Sequence, residues 1–244
     1  GTFPNHEANP IKEENVKDLK ARVLLEKADL GIAFDADADR IGFVDEKGES
    51  VNGDLMEAFL ARPLLEKHPG GTALYDIRSS NAVPEEIERC GGKPKMSMVG
   101  HALIKKMMRE TGAIFGGELS AHYYYKDFYT VESGDLTALL VLKRLSDEGK
   151  SLSELTLPLR KYAHSGEINF KVEDKEAVMG KVAEHYRAKA KSETELDGVR
   201  MDFEDWWFSL RSSNTEPLLR LIVEAKDEAK MKEKVKEIEG LLGV

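Results

Sequence analysis

The sequence predicts layered α/β domains followed by a C-terminal α+β domain with an antiparallel sheet. Two observations support this prediction. Up to about residue 150, short apolar strands alternate with helices, which is the order expected of a layered α/β fold. Beyond residues 157–159, several strands follow one another with two long helices among them, as in a small α+β domain.

Residues 1–49 contain one predicted helix and two predicted strands. Apolar residues at helical spacing predict a helix over 13–27, and apolar runs predict strands over 30–34 and 41–44. An acidic loop, 35–40, joins the two strands. Because 49 residues are too few for a typical domain, we expect this segment to be the C-terminal part of an α/β domain whose beginning is absent.

Residues 50–160 form a second predicted α/β domain, and residues 161–244 form the α+β domain. The hydrophobic pattern predicts helices over 53–67, 82–89, 101–110, 133–147, 175–190 and 227–242. It predicts strands over 72–77, 94–99, 113–115, 123–125, 167–173, 198–203, 206–211 and 218–225. A loop at 116–122 lies between two of these strands.

The composition limits the classes of protein and partner. The 244 residues are 41% hydrophobic, carry a net charge of −9 and include one cysteine, Cys90. That cysteine cannot form an internal disulfide, and the sequence has neither a signal-peptide pattern nor a run of ~20 apolar residues. We therefore expect a cytoplasmic protein with no membrane partner. The negative charge argues against a nucleic-acid partner, but a small anionic substrate in a locally basic cleft remains compatible with it.

The acidic loop after the first strand predicts a metal site. Asp35, Asp37 and Asp39 occupy positions i, i+2 and i+4, so an extended or curled loop can direct all three carboxylates to one side. Three such groups repel one another without a cation, and ligands that are all oxygen suit Mg2+. We therefore predict Mg2+ as the cofactor. The alternatives are a solvated acidic turn and a phosphatase of the haloacid-dehalogenase type, in which an aspartate after a strand is the nucleophile.

The segment 211–217 predicts a phosphate-binding loop between two strands. Arg211 offers a planar fork of donors that matches phosphate oxygens, and Ser213, Asn214 and Thr215 add hydroxyl and amide donors. The alternative is a polar hairpin turn without a ligand.

The loop at 116–122 combines a carboxylate, a hydroxyl and an imidazole: Glu118, Ser120 and His122. Carboxylates and hydroxyls can bind vicinal sugar hydroxyls, and histidine can transfer a proton near neutral pH. His101 begins a predicted helix, where its imidazole can meet an anion. Either histidine can instead have a structural role.

Considered together, these motifs resemble those of the α-D-phosphohexomutase family over essentially the whole chain. The family's FPNHxPNP, DGDGDR, TGH, GEMSGH and RxSNTEP motifs are similar to residues 3–10, 35–40, 99–101, 117–122 and 211–217. The chain departs from these motifs at several positions, among them Ala36, Ala38, Val99, Leu119 and Ala121.

The resemblance implies a role for each motif. It implies Mg2+ on Asp35, Asp37 and Asp39, and catalytic roles for Arg40, beside the reacting phosphate, and for His122, in proton transfer. The implied substrate-binding residues are Arg78, His101, Glu118, Ser120, Arg211, Ser213, Asn214 and Thr215. The last four of these would hold the phosphate that does not react.

The resemblance also implies the activity and the partners. The implied reaction is that of a phosphomannomutase, with phosphoglucomutase activity as the nearest alternative, and the substrate is a mannose or glucose phosphate. Asn214 favours this branch, since relatives that act on glucosamine typically carry glycine there. The family's phosphoserine motif, TASHNP, does not occur in these 244 residues. We therefore expect a fragment that is inactive without the N-terminal domain of the same protein. A non-catalytic sugar-phosphate-binding relative remains an alternative.

Overall fold

The computed structural model describes residues 1–213 and 217–243. The chain divides into two compact units, Gly1–Arg160 and Lys161–Val244. In the part of the chain that is described, none of the helices has the length and apolar character required to cross a membrane.

The first unit contains helices and strands in alternation. Its helices are α1 (Lys17–Glu26), α2 (Gly53–Lys67), α3 (Ala82–Arg89), α4 (His101–Thr111), α5 (Gly134–Glu148) and α6 (Leu152–Thr156). Its strands are β1 (Leu30–Phe34), β2 (Ile41–Asp45), β3 (Ser50–Val51), β4 (Thr72–Asp76), β5 (Lys93–Ser97), β6 (Phe115–Gly117), β7 (Tyr123–Tyr125) and β8 (Val131–Glu132).

The strands of the first unit form two sheets. The smaller sheet is antiparallel, in the order β1-β2-β3. The larger sheet has the order β5-β4-β6-β7-β8, with β4 parallel to both β5 and β6 and the remaining pairs antiparallel. Helices α3 and α4 make the crossovers that parallel strands require. One buried apolar cluster of the first unit contains Leu74, Ile104, Met108 and Tyr124.

The second unit is a single antiparallel sheet with two long helices. The helices are α7 (Lys175–Arg187) and α8 (Glu228–Leu242). The strands are β9 (Ala163–His164), β10 (Ile168–Lys171), β11 (Ser192–Thr194), β12 (Val199–Asp202), β13 (Trp206–Ser212) and β14 (Leu218–Ala225). The sheet order is β10-β14-β13-β12-β11, with β9 also pairing with β14. Tyr186 on α7 and Phe208 on β13 belong to its apolar core. The predicted fold class is confirmed in both units.

Strand β6 differs from the sequence prediction. It was expected over 113–115, but it spans Phe115–Gly117 and pairs with β4 on one side and β7 on the other. Two glycines that the sequence suggested as loop residues are therefore strand residues, because central pairing in a sheet overrides their weak strand propensity. The sequence also did not predict four short strands and one helix: β3, β8, β9, β11 and α6. Elements of two to five residues are too short to show a period.

Candidate active site

The acidic loop connects β1 to β2 as a closed hairpin. Phe34 pairs with Ile41, and the Asp35 N–H donates to the Arg40 carbonyl at 3.2 Å. One carboxylate oxygen from each of Asp35, Asp37 and Asp39 lies within 4.8 Å of the others. The convergence that the spacing predicts is therefore confirmed, and the three side chains form an all-oxygen cluster.

The electrostatics of this cluster fit a hard divalent cation. Burial, together with the negative charges of Asp35 and Asp37, raises the pKa of Asp39. Burial also acts to raise the pKa of Asp35, but hydrogen bonds from Arg40 lower it on balance. The Arg40 Nε donates to Asp35 at 2.7 Å. A cation such as Mg2+ would relieve the repulsion and would find the oxygen ligands that it prefers.

The β6–β7 loop, residues 118–122, is a tight hairpin. The Glu118 N–H donates to the His122 carbonyl at 3.1 Å, and the Ala121 N–H donates to the Glu118 carbonyl at 2.9 Å. The start of α2 packs against the loop so closely that a Cβ added at Gly53 would meet the Leu119 carbonyl oxygen at 2.6 Å. The loop backbone is thus held from within and from α2.

His122 connects this loop with the acidic cluster. Its Nδ1 lies 3.0 Å from the Ser120 hydroxyl and 3.2 Å from a carboxylate oxygen of Glu118. Its Nε2 lies 3.5 Å from a carboxylate oxygen of Asp39. Burial acts to lower the pKa of His122, but the adjacent carboxylates of Glu118 and Asp39 outweigh it and raise that pKa. Residues far apart in the sequence therefore meet at one imidazole.

Glu118 is almost fully enclosed, with a relative exposure of 2%. Its Oε2 accepts from the Tyr124 hydroxyl at 2.6 Å, and its Oε1 accepts from the Gly100 N–H at 3.0 Å. Burial acts to raise the pKa of Glu118, but hydrogen bonds from His122 and Tyr124, with the charge of Arg78, lower it to about 2. Glu118 is thus held as a carboxylate. His101, which follows Gly100, is exposed at the first position of α4.

Arg78 is held by a carboxylate that the sequence did not reveal, Asp76. Its guanidinium donates to both oxygens of Asp76, at 2.6 Å from Nη2 and 3.1 Å from Nε. The same carboxylate accepts from the Leu119 N–H at 3.0 Å. Arg78 Nη2 also lies 3.5 Å from the Ser120 hydroxyl. Asp76 therefore ties Arg78 to the β6–β7 loop.

One sequence signal could have identified Asp76. It ends β4, a strand with parallel neighbours, and functional side chains gather at the carboxyl ends of such strands. For Tyr124 the sequence carries no comparable signal, because its hydroxyl reaches Glu118 only through the pairing of β6 with β7.

Glu57 lies behind the same loop. It is fully buried on α2, and its side chain contacts Gly117 so closely that an added Cβ would overlap it. Its Oε2 accepts a long hydrogen bond from Ser79 at 3.4 Å, and its Oε1 has no hydrogen-bond partner among the described residues. Burial, with the charges of Asp76 and Asp54, raises the pKa of Glu57 well above its usual value.

The second unit brings two arginines together at the end of the β13–β14 pair. Arg211 and Arg220 are Cα partners across these strands. The Arg220 Nη2 donates to the Ser213 hydroxyl at 3.3 Å, and the Ser213 N–H donates to the Leu218 carbonyl at 2.9 Å. The predicted ligands Asn214 and Thr215 lie outside the described residues.

Three family models match consecutive parts of the chain. All three models describe domains of phosphoglucomutase/phosphomannomutase. Alpha/beta/alpha domain II matches residues 1–48, alpha/beta/alpha domain III matches residues 52–162, and the C-terminal domain matches residues 167–241. The chain belongs to this family. Its three-part division at residues 49 and 160 stays a prediction, since the compact units separate at residue 160 alone.

Two relatives and one solved structure show the extent of the similarity. A phosphomannomutase of Methanocaldococcus jannaschii is 47% identical over 99% of this chain and 54% of its own length. A protein of Xanthomonas campestris named phosphohexose mutases is 42% identical over 99% of this chain and 54% of its own length. A structure of a phosphoglucomutase/phosphomannomutase family protein from Burkholderia thailandensis has a TM-score of 0.86 and 29% identity, over 99% of this chain and 53% of that chain. The chain thus spans about half the length of the relatives that it matches.

Membership in this family explains why two alanines have left-handed backbone angles. Ala38 and Ala121 have φ angles of +62° and +65°, in the left-handed region that favours glycine. Both stand where the family motifs carry glycine, so the loops keep their conformation although each alanine strains it. The family models and the relatives named above give no support to the haloacid-dehalogenase alternative.

Proposed function

We propose that this chain is the metal-binding, sugar-binding and phosphate-binding part of a phosphomannomutase. The reaction is the interconversion of mannose 6-phosphate and mannose 1-phosphate, and phosphoglucomutase activity is the nearest alternative. The observation that carries the proposal is the meeting of the acidic cluster and the β6–β7 loop at His122, 3.5 Å from Asp39 and 3.2 Å from Glu118. The 47% identity to a phosphomannomutase supports the choice of sugar.

The acidic cluster would hold Mg2+ through Asp35, Asp37 and Asp39. Bound there, Mg2+ would supply positive charge to the oxygens of a transferring phosphoryl group. Arg40 would add a donor fork beside that group, and its ion pair with Asp35 keeps the guanidinium near the loop. Asp35 is then a ligand that also orients a catalytic side chain.

The β6–β7 loop would bind the sugar. Ser120 and Glu118 supply the acceptors for sugar hydroxyls, and Arg78, 3.5 Å from the Ser120 hydroxyl, supplies donors on the same side. His101 would line this site from the start of α4. Because Glu118 is ionised and held by two hydrogen bonds, its orientation is set before the sugar binds.

His122 would move the proton at its Nε2 atom. Its Nδ1 faces Glu118 and Ser120, which leaves Nε2 on the side of the acidic cluster. A carboxylate beside one ring nitrogen sets the orientation of the imidazole and stabilises its protonated form. Nε2 would accept the proton of the attacking sugar hydroxyl and return it to the leaving oxygen.

A phosphoserine outside these 244 residues would carry the phosphoryl group. The serine donates its phosphoryl group to the free hydroxyl of the sugar phosphate, which gives a sugar bisphosphate. The other phosphate of that intermediate then returns to the serine and restores it. Arg211, Ser213, Asn214 and Thr215 would hold whichever phosphate is not reacting.

The test compares this chain with the protein encoded by its complete gene. The complete protein should isomerise mannose 6-phosphate when it is supplied with Mg2+ and a sugar bisphosphate, and the 244-residue chain should only bind the sugar phosphate. A complete protein that binds the sugar phosphate without isomerising it would support the alternative of a non-catalytic sugar-phosphate-binding relative. Hydrolysis of the phosphate by the 244-residue chain would support the phosphatase alternative.

Metal binding can be tested on the chain itself. Asp37→Asn removes one of three carboxylates and should weaken Mg2+ binding in calorimetry by about tenfold or more. Asp29→Asn, at an exposed position before β1, is the matched control and should leave the affinity unchanged. Equal Mg2+ affinity in the two variants would contradict the assignment.

A further inference from the structure

One carboxylate lies between the two arginines of the second unit. Glu167, just before β10, directs Oε2 to Arg211 Nη1 at 3.5 Å and Oε1 to Arg220 Nη1 at 3.4 Å. Each of its two oxygens thus faces a different guanidinium. An anion whose oxygens are shared by two guanidinium groups is an arrangement that a bound phosphate would also make.

The two arginines have other partners that hold them in place. The Arg211 Nε donates to Asp197 at 3.1 Å, and the Arg220 Nη2 donates to the Ser213 hydroxyl at 3.3 Å. Asp197 is brought to this position by a sharp turn at Gly198, where φ is +76° and an added Cβ would overlap the backbone of β13. The contacts to Glu167 are longer than the one to Asp197. They are therefore the contacts that a ligand can most readily replace.

The need for a negative charge follows from the strand pairing. Arg211 and Arg220 are Cα partners, and like charges directly opposite each other destabilise a sheet. A ligand-free pair of this kind requires a counter-ion. Glu167 supplies one negative charge, with a side chain that is 25% exposed and can turn toward solvent.

We propose that Glu167 occupies the phosphate position of the ligand-free arginine pair and competes with the incoming phosphate. The inference rests on the phosphate-binding role of Arg211 in the proposed function. A phosphate dianion displaces Glu167 because it brings two charges and more acceptors than one carboxylate. A ligand with a single carboxylate carries the same charge as Glu167, so its exchange with Glu167 yields little binding free energy. Glu167 therefore lowers the absolute affinity and makes the site selective for dianions.

The experiment uses calorimetry of the full chain with inorganic phosphate at pH 8, where the dianion dominates. Glu167→Gln keeps the shape of the side chain and removes its charge, so phosphate should bind roughly three- to tenfold more tightly. Asp197→Ala should instead weaken binding, because it removes the acceptor that orients Arg211 Nε. Equal or weaker binding in Glu167→Gln would overturn the inference.

A second measurement separates competition from support of the fold. Without phosphate, Glu167→Gln should have a lower free energy of unfolding than the wild type, since the arginine pair loses the negative charge that it shares, although Arg211 keeps its contact with Asp197. With phosphate, the same variant should gain more stabilisation than the wild type. A decrease in both quantities would show that Glu167 only supports the structure, and it would contradict the proposal.

Arg211→Ala distinguishes failure of this inference from failure of the proposed function. If Arg211→Ala abolishes phosphate binding while Glu167→Gln does not strengthen it, the inference is wrong and the phosphate-binding role stands. If Arg211→Ala binds phosphate as tightly as the wild type does, both the role of Arg211 and the inference are wrong.

Discussion

The β6–β7 loop of the first unit and the arginine pair of the second unit hold their charged groups in different ways. Asp76 and Glu118 are 0% and 2% exposed, and they accept hydrogen bonds of 2.6–3.2 Å from buried and half-buried donors. Glu167 and Asp197 have side chains that are 25% and 20% exposed, and their contacts with Arg211 are 3.1–3.5 Å long. The first arrangement is assembled before a ligand arrives, and the second contains a partner that a ligand can replace.

The difference follows from the dielectric environment. A buried charge that loses its partner is strongly destabilised, so we expect the buried partners in the β6–β7 loop to contribute to folding as well as to the proposed binding of the sugar. A partly exposed ion pair contributes little to stability and is exchanged at low free energy. We therefore expect the sugar to bind to side chains that are already in place, and the phosphate to bind by replacing a carboxylate partner of the arginines.

Removing the buried acceptor should have the largest effect. In Asp76→Asn, Arg78 Nη2 and the Leu119 N–H lose a carboxylate oxygen, and a buried guanidinium loses its main partner. The free energy of unfolding should fall by about 3–5 kcal/mol, and the folded fraction should bind mannose 6-phosphate more weakly. Denaturant titration and calorimetry of the same samples would measure the two effects.

The matched control is Asp45→Asn, another buried carboxylate of the first unit. Asp45 accepts from the N–H groups of Lys47 and Glu49 in the β2–β3 turn, and within residues 1–213 and 217–243 it makes no hydrogen bond to the β6–β7 loop. It should lower stability without changing the affinity of the folded protein for the sugar phosphate. If Asp76→Asn behaved in the same way, the link between Asp76 and the loop would have no role in recognition.

The second largest effect concerns Glu57, the buried glutamic acid behind the β6–β7 loop. The raised pKa of Glu57 means that the folded state keeps a proton that the unfolded state releases above about pH 4.5. In the wild type, the protonated Glu57 therefore contributes its full stabilisation below pH 4.5. This contribution to the free energy of unfolding is lost as pH rises toward the pKa of Glu57 in the folded state. Glu57→Gln has the shape of the protonated acid and avoids this loss. Its advantage in unfolding free energy should grow by up to about 1.4 kcal/mol per pH unit.

Urea titrations at pH 5, 6, 7 and 8 would measure the Glu57→Gln advantage. Glu66→Gln, at an exposed position of the same helix, is the control and should change stability by less than about 0.5 kcal/mol throughout. An advantage of Glu57→Gln that stays constant across this pH range would contradict a protonated Glu57.

The third largest effect concerns Arg211, in the arginine pair of the second unit. Arg211→Ala removes a charge-assisted contact with phosphate, and the complete enzyme should lose about 1.5–3 kcal/mol of substrate binding, measured mainly as a higher KM. Because its present partners are partly exposed, its stability should fall less than that of Asp76→Asn. Arg187→Ala, an exposed arginine of α7, is the control. An unchanged KM in Arg211→Ala would show that the arginine does not bind substrate.

The smallest effect concerns backbone strain in the two loops of the first unit. Ala38→Gly and Ala121→Gly remove a Cβ from left-handed positions, and each should change the unfolding free energy by about 1 kcal/mol or less, toward greater stability. The same substitution at Ala177, in the first turn of α7, should lower stability by about 0.5–1 kcal/mol. Thermal unfolding would compare them. Equal losses in all three variants would show that the loops are not strained.

The candidate site could be predicted from the sequence wherever its geometry is local. Asp35, Asp37 and Asp39 converge because their spacing and the preceding strand direct them to one side. The contacts of Asp76 with Leu119 and of Glu167 with Arg211 could not be predicted, since the partners are 43 and 44 residues apart. No local period reports such contacts.

By itself, the sequence determined the fold class, the family and the chemical types that gather in each loop, because strand and helix periods and short motifs are properties of neighbouring residues. Only the tertiary structure decided which charges are buried and which partner each one has. Glu118 and Glu167 are both glutamates beside arginines, yet one is enclosed by a mixed sheet and the other stands partly in solvent. The sheet register and the packing of α2 against the β6–β7 loop set this difference, since burial decides how strongly a carboxylate holds its partner.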